Sequence, residues 1–420
     1  MKEIGILRKA AIIALIGFLF SKLVGYAYRY ILTKIGPEMY GSFTLALSVV
    51  SFALIFAKLG IDEGILRFLS LYSEEKNKKK SKEVFTTSIY IVFLSSVIFA
   101  IGIYISSDFF ANIFHSNHIG YMLRILSISL PFGAFGLVFI EGLKALKKST
   151  LSIIIQQLTE RSFLIIFTLL FFLLGSGIYG ILWVYVFATF ITPILSGFIL
   201  FKTIGFYRLT KKEFIKTSKK ILIYSLPLVF SASIYMLIRW ADIMIIGYFY
   251  GPVLVGVYDV ATLGSLFLFI LPEAVLYMFI PIMTRFYKKK RKKDFKGLIN
   301  RSVFYIFIIT IIPALIMILF PERIIRILLD ERYIDASLPL AILTAGVFFR
   351  ILFMPHSKAI LVYGKSVYTF YINLIATIFN IIFNIIFIPV YGIIGAAVVT
   401  SLSYVLIGIL SYVFYKRISS

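Results

Sequence analysis

Lys22 and Arg29 stand seven residues apart, with Gly25 between them, inside an otherwise apolar stretch from Ala10 to Leu32. On a helix that spacing puts both cations on one face. A charge at the centre of a bilayer costs about 2.5–3.5 kcal/mol on insertion scales, so such a residue is expected to face protein, water or an anion. Lys58, Arg239 and Arg350 also fall within apolar stretches, and Arg124 lies near the end of another. A guanidinium donates two parallel hydrogen bonds to phosphate oxygens. Lys22, Arg29, Lys58, Arg239 and Arg350 are therefore candidate contacts for a phosphate-bearing anion. Lys58 is four residues before Asp62, and Arg239 three before Asp242, so neutralisation along the helix is an open alternative for both. Asp242, Asp259 and Glu273 are candidate carboxylates for a coupling cation. Gln156, Gln157, Glu160 and Arg161 form a broad polar face that either ties helices together or meets substrate. Asn373, Asn380 and Asn384 share one helical stripe, suited to bridging helices or to bonding sugar hydroxyls.

The elements that must position these residues follow from composition. Of 420 residues 60% are hydrophobic and 15% charged, with a mean hydropathy of +0.99. A soluble domain carries about 25% charged residues. Apolar runs of roughly 20 residues recur, each long enough for a hydrocarbon core about 30 Å thick. The expected fold is an all-α polytopic membrane protein; barrel strands would show short alternating segments instead. Twelve spans are expected, at 10–32, 41–61, 84–106, 120–142, 150–174, 179–201, 221–249, 256–284, 302–320, 338–357, 367–388 and 393–414. The first is too long for a signal core and reads as a retained helix.

The formal net charge is +24, yet its placement argues against nucleic acid. With the N-terminus inside, expected cytoplasmic segments hold 32 of the 43 Lys and Arg, and expected external loops hold Lys34, Arg323, Arg326 and Arg332. That asymmetry follows the positive-inside rule and places both termini in the cytoplasm of a cell-membrane protein. The run Lys288 to Lys293 serves as a topology anchor or attracts anionic head groups.

Several chemistries drop out. Without cysteine there are no disulfides, thiolate metal sites or cysteine nucleophiles. His115 and His118 share a short loop, but two ligands make a poor metal site. Gly364-Lys365-Ser366 lacks the first glycine of a nucleotide-binding loop, since residue 359 is Ala. No cofactor is expected, and transport powered by this chain would draw on ion gradients or run downhill. External loops are too short for the catalytic carboxylates of a membrane glycosyltransferase or polymerase.

An internal repeat sets the organisation. Gly36-Pro37-Glu38-Met39-Tyr40-Gly41-Ser42-Phe43-Thr44-Leu45-Ala46 returns 215 residues later as Gly251-Pro252-Val253-Leu254-Val255-Gly256-Val257-Tyr258-Asp259-Val260-Ala261. The Tyr-Gly-Ile core at 179–181 returns at 391–393. Six spans per half is an even number, so the halves are expected as parallel repeats: an N-terminal lobe over 1–210 and a C-terminal lobe over 211–420, around a central cavity.

These motifs, with Leu59-Gly60-Ile61-Asp62-Glu63-Gly64 and Arg67, Glu141 to Leu146, and Tyr391 to Ala397, carry a resemblance over essentially the whole chain. It resembles the polysaccharide-biosynthesis flippases, the lipid-linked-oligosaccharide branch of the multidrug/oligosaccharidyl-lipid/polysaccharide exporter superfamily. The resemblance implies translocation of a polyprenyl- or dolichyl-diphosphate-linked oligosaccharide by alternating access, for cell-surface polysaccharide or glycan assembly. It implies a transporter rather than an enzyme, with membrane lipid and glycan-assembly enzymes as expected partners, and the two-lobed plan suggests a functional monomer. In the related lipid II flippases a cationic cavity holds the diphosphate. A cation-coupled multidrug exporter of the same superfamily is the alternative.

Overall fold

The computed structural model describes residues 2–419, apart from the side chains of residues 2–14, Tyr235 and Tyr277. The N-terminal cations Lys2, Arg8 and Lys9 counted above therefore lie outside the described side chains. The chain is built of helices and splits into two compact units, one of residues 1–35 and 45–233, the other of residues 36–44 and 234–420.

In the first part of the chain run α1 (Lys2–Thr33), α2 (Pro37–Ala57), α3 (Ile61–Glu74), α4 (Lys78–Ile105), α5 (Ser107–Ile113), α6 (Asn117–Ser127), α7 (Ser129–Ala145) and α8 (Ser149–Ile153). A π-helical segment, Ile154–Thr159, leads into α9 (Glu160–Leu173), and α10 (Gly177–Ile204) follows. Then come α11 (Lys211–Leu266), a 3-10 turn at Phe267–Phe269, α12 (Ile270–Lys288), α13 (Lys292–Leu319), α14 (Pro321–Leu328), α15 (Ser337–Val362) and α16 (Ser366–Ser419).

Among the described residues nine helices are long and apolar enough to cross a membrane, and the pair α6–α7, bent by 46°, makes a tenth. Twelve spans were expected. The difference lies in α11 and α16, of 56 and 54 residues. At 1.5 Å per residue each would exceed 80 Å if straight, far more than one crossing of about 30 Å. Both are broken by a glycine outside helical geometry, Gly251 (φ 74°) and Gly392 (φ 57°). A left-handed φ is open to glycine at little cost, so the chain turns there with hardly any loop. The other boundary shift is at α2, which starts at Pro37 and ends at a turn where Leu59 and Gly60 have φ of 49° and 68°.

The core of the first unit joins α3, α4, α7 and α10 through Ile65, Phe68, Leu69, Phe85, Phe139 and Leu200. Here α3 lies against the opening turns of α11: a Cβ on Gly60 would stand 2.6 Å from the Ser225 carbonyl oxygen, and one on Gly64 2.5 Å from the Ser225 hydroxyl. These two glycines bring the backbones together.

The second unit centres on α12, α13, α15 and α16, with Leu276, Met283, Phe295, Val347 and Ile372 in its core. It also contains Gly36–Thr44, the first of the repeated motifs, although the rest of α2 belongs to the first unit. The two copies of the motif pack on each other inside this unit. Tyr40, in the first, donates its hydroxyl to the carboxylate of Asp259, in the second.

Candidate functional site

The second unit holds a chain of buried polar groups with Asp242 at one end. Its carboxylate accepts the hydroxyl of Tyr258 at 2.7 Å, the hydroxyl of Thr400 at 3.3 Å and the backbone N–H of Ile243 at 2.9 Å. Asn380 donates its amide to Thr400 at 3.2 Å and to Ser403 at 3.3 Å, and Asn384 donates to Asn380 at 3.1 Å. None of these six residues is more than 3% exposed. The repeated motif supplies Tyr258, α11 supplies Asp242, and the two limbs of α16 supply the rest. Burying so many polar groups is tolerable because they satisfy one another. A second carboxylate, that of Asp259, interacts electrostatically with Asp242 and accepts the Tyr40 hydroxyl. Carboxylate, hydroxyl and amide oxygens are the donors a hard cation takes, and the Asn384 side-chain oxygen is buried without a partner among the described residues.

Asp242 is thus held by hydroxyls and an amide, and forms no ion pair with Arg239, which lies exposed beside the Trp240 ring. The neutralisation left open by their spacing does not occur. At Lys58 it does: the ammonium is paired with Asp62 at the α2–α3 turn. Arg350 is half-buried between two ring faces, 4.8 Å from Tyr404 and 5.5 Å from Phe269. Glu273 sits in the first turn of α12, where a helix dipole favours a carboxylate. Asn380 and Asn384 bridge within and between the limbs of α16, whereas Asn373 is only half-buried.

The first unit contains a cavity of about 190 Å3. Gln156, Glu160, Arg161, Tyr185, Thr189 and Thr192 form its polar wall. Thr192 donates to Glu160. Arg29 from α1 and Arg161 both act electrostatically on Tyr185. Of the charged groups, Glu160 and Arg161 line the space itself, while Arg29 acts on Tyr185 from α1. Lys22, two turns earlier on α1, lies over the Phe18 ring at 5.3 Å. The sequence left Glu160 and Arg161 undecided between tying helices and meeting substrate; they do line a cavity. Their placement depends on the π segment just before them, and π segments recur at functional sites. No helical wheel drawn at the α period registers it. Tyr258 was visible only as part of the repeat and Thr400 not at all, because a hydroxyl in an apolar run carries no signal of its partner.

Arg124 pairs with Asp108 at 2.6 Å, and His118 meets the Tyr179 hydroxyl at 2.8 Å, so both act in local packing.

A sequence model of the polysaccharide biosynthesis protein family matches residues 6–287, two thirds of the chain. The chain belongs to that family. A second model, of the MatE family, matches residues 227–386. An uncharacterized membrane protein of Methanocaldococcus jannaschii is 27% identical over 97% of this chain and 98% of its own length. A putative O-antigen transporter of Shigella flexneri is 24% identical over 97% of each. Among solved structures, the lipid II flippase MurJ in an inward closed conformation superposes with a TM-score of 0.77 at 18% identity, covering 96% of this chain and 87% of that one. At that identity the likeness concerns the fold. Family and fold agree on a multi-pass helical membrane protein.

Proposed function

We propose that the protein is a flippase that moves a lipid-linked oligosaccharide across the cell membrane for polysaccharide or glycan assembly. The observation that carries this reading is the family match over residues 6–287. The chemistry of the site accords with it. A lipid-linked glycan presents a diphosphate at the membrane, and Arg29 and Arg161 supply cationic guanidiniums around the first unit's polar cavity. Lys22, in the same unit, and Arg239 and Arg350, in the second, would be further contacts for the anion, and Lys58, which is paired with Asp62, would join them on releasing that carboxylate. Asp242, with Tyr258, Thr400, Asn380 and Asn384, would bind the coupling cation or proton, so that charge entering this cluster biases an alternating-access cycle. Asp259 and Glu273 are assigned to the same coupling role with less direct geometry. Both termini would be cytoplasmic, and the 1–210 and 211–420 halves would be the two repeats of the transport cycle.

The MatE match over the second unit's helices favours one other reading, a cation-coupled exporter of cationic drugs. Proteoliposomes separate the two. The flippase should translocate a fluorescent polyprenyl-diphosphate oligosaccharide and leave a cationic dye gradient untouched. Arg29→Ala and Arg239→Ala should slow translocation about tenfold or more if each loses a charge-assisted hydrogen bond in the transition between states. Dye export without lipid translocation would replace this reading by the drug exporter, and parental rates in both variants would remove the cations from the mechanism.

A further inference from the structure

Outside the membrane-buried cluster, three cations of the first unit converge on one aromatic group. The Arg67 guanidinium lies 4.3 Å from the Tyr224 ring centre and 5.8 Å from that of Phe68. The Lys220 ammonium lies 5.0 Å from Phe68 and 5.1 Å from Tyr72, and donates to the Tyr72 hydroxyl at 2.6 Å. The Lys80 ammonium lies 5.2 Å from the Tyr72 ring centre. Arg67, Lys220 and Lys80 are all exposed. Among the described residues none of the three has a carboxylate within ion-pair distance, and nearby Glu74 is paired with Lys147. Like charges so placed repel one another, and ring faces offset only part of that. An arrived anion would offset the rest.

The sequence motif explains how the group is built. Gly60 and Gly64 let α3 approach α11 at Ser225. That contact sets Arg67, one turn beyond Gly64, over Tyr224, one residue before Ser225. The rings then hold the cations in place, so little side-chain entropy is lost when a ligand arrives.

We propose that Arg67 and Lys220, with Lys80 beside them, form a docking site for the diphosphate of a polyprenyl-linked substrate, where it is captured before it reaches the buried cations. The inference rests on the flippase reading. A guanidinium and an ammonium that share the Phe68 ring can engage the two phosphate groups of a diphosphate together, whereas a single phosphate diester of bulk lipid would occupy half of the site.

The test uses the full chain in nanodiscs of zwitterionic lipid. Binding is measured for a short-chain polyprenyl diphosphate, the corresponding polyprenyl monophosphate, inorganic diphosphate and phosphatidylglycerol. The parent should prefer polyprenyl diphosphate. Arg67→Gln and Lys220→Gln should each weaken it about tenfold or more, and Arg67→Lys should recover part of the loss. In proteoliposomes the same variants should raise the substrate concentration needed for half-maximal translocation while leaving the maximal rate near parental, which a merely structural role would not do. Equal binding by parent and variants, in a parent that does translocate, overturns the docking site and leaves the flippase standing. Phosphatidylglycerol binding as tightly as the diphosphate overturns it in favour of a lipid anchor. A parent that neither binds nor moves any polyprenyl diphosphate overturns both.

Discussion

Gly41 and Gly256 approach so closely that neither has room for a side chain. A Cβ on Gly41 would stand 1.8 Å from the Pro252 carbonyl oxygen and 2.7 Å from the Gly256 nitrogen; one on Gly256 would stand 2.2 Å from the Pro37 carbonyl oxygen. The contact is reciprocal, each glycine meeting the carbonyl of the proline that begins the other copy. Backbone cannot swing aside as a side chain can. Gly41→Ala and Gly256→Ala should therefore each cost at least about 3 kcal/mol, the upper end of ordinary overpacking. Thermal unfolding of the detergent-solubilised protein reads this directly. Gly25→Ala, where a Cβ meets nothing within 4 Å, is the control and should leave the melting temperature unchanged or raise it. A Gly41→Ala protein as stable as the control would show that the two helix starts are not in contact.

The cluster at Asp242 makes a prediction about coupling. Asp242→Asn keeps size and lets the Tyr258 and Thr400 hydroxyls reorient, so folding should survive with a loss of about 1–2 kcal/mol. The charge is gone, however. Translocation by this variant should no longer respond to a sodium or proton gradient across the vesicle. A gradient response equal to that of the parent would take Asp242 out of the coupling step.

The asparagine stripe should divide in its response to truncation. Asn380 bridges Thr400 and Ser403 and accepts from Asn384, wholly buried. Asn380→Ala leaves the buried Asn384 amide without its acceptor, although Thr400 and Ser403 still donate to Asp242 and Val399, and should destabilise by about 1–3 kcal/mol. Asn373→Ala, at a half-buried position, should change stability by less than about 0.5 kcal/mol. Equal melting temperatures for the two variants would count against the network.

The start of α11 carries a pH signature. Thr210 and Glu213 form a capping box: the Thr210 N–H donates to the Glu213 carboxylate at 3.0 Å and the Glu213 N–H to the Thr210 hydroxyl at 3.2 Å. That backbone bond, then Lys79 at 3.0 Å, then the Thr210 hydroxyl, hold the Glu213 carboxyl down at about 2. A carboxylate with a lowered folded pKa contributes stability above its ordinary value near 4.5, and loses it as pH falls through the folded value. Amide exchange at Thr210 and Glu213 should thus stay slow as pH passes 4.5, once the intrinsic pH dependence is removed, and quicken only towards pH 2. Thr210→Ala removes the acceptor of the Glu213 N–H and the third of these bonds but keeps the backbone bond and Lys79, so exchange at Glu213 should quicken while the protection at position 210 still persists below pH 4.5. Loss of protection already at the usual glutamate pKa would disprove the box.

Much of the membrane architecture was legible because hydropathy reports burial in lipid residue by residue. Apolar runs gave helices, and Gly-Pro pairs gave the turns between them. What hydropathy could not show was continuity. Gly251 and Gly392 were read as parts of loops, but each turns the chain within a single residue, so helical hydrogen bonding resumes at once. The site was legible by type more than by partner. A charge in an apolar run announces that something must satisfy it, as with Lys58 and Asp62. Spacing along one helix suggested Arg239 for Asp242, yet the partners came from Tyr258 and Thr400, brought in by tertiary packing. Likewise the repeat at 36–46 and 251–261 was visible as duplication, but only three-dimensional contact shows that the copies pack together.

The π segment at Ile154–Thr159 has a consequence for insertions and deletions. An i→i+5 turn is an α-helix carrying a surplus residue. Removing one residue elsewhere in a span rotates everything beyond it by about 100°, one residue's share of a 3.6-residue turn, and swings its lining side chains away. Removing one between Ile154 and Thr159 would let the surplus close into ordinary α geometry, with Glu160 and Arg161 still directed at the cavity. The fifth span thus carries slack in its chain length just where it meets the cavity wall.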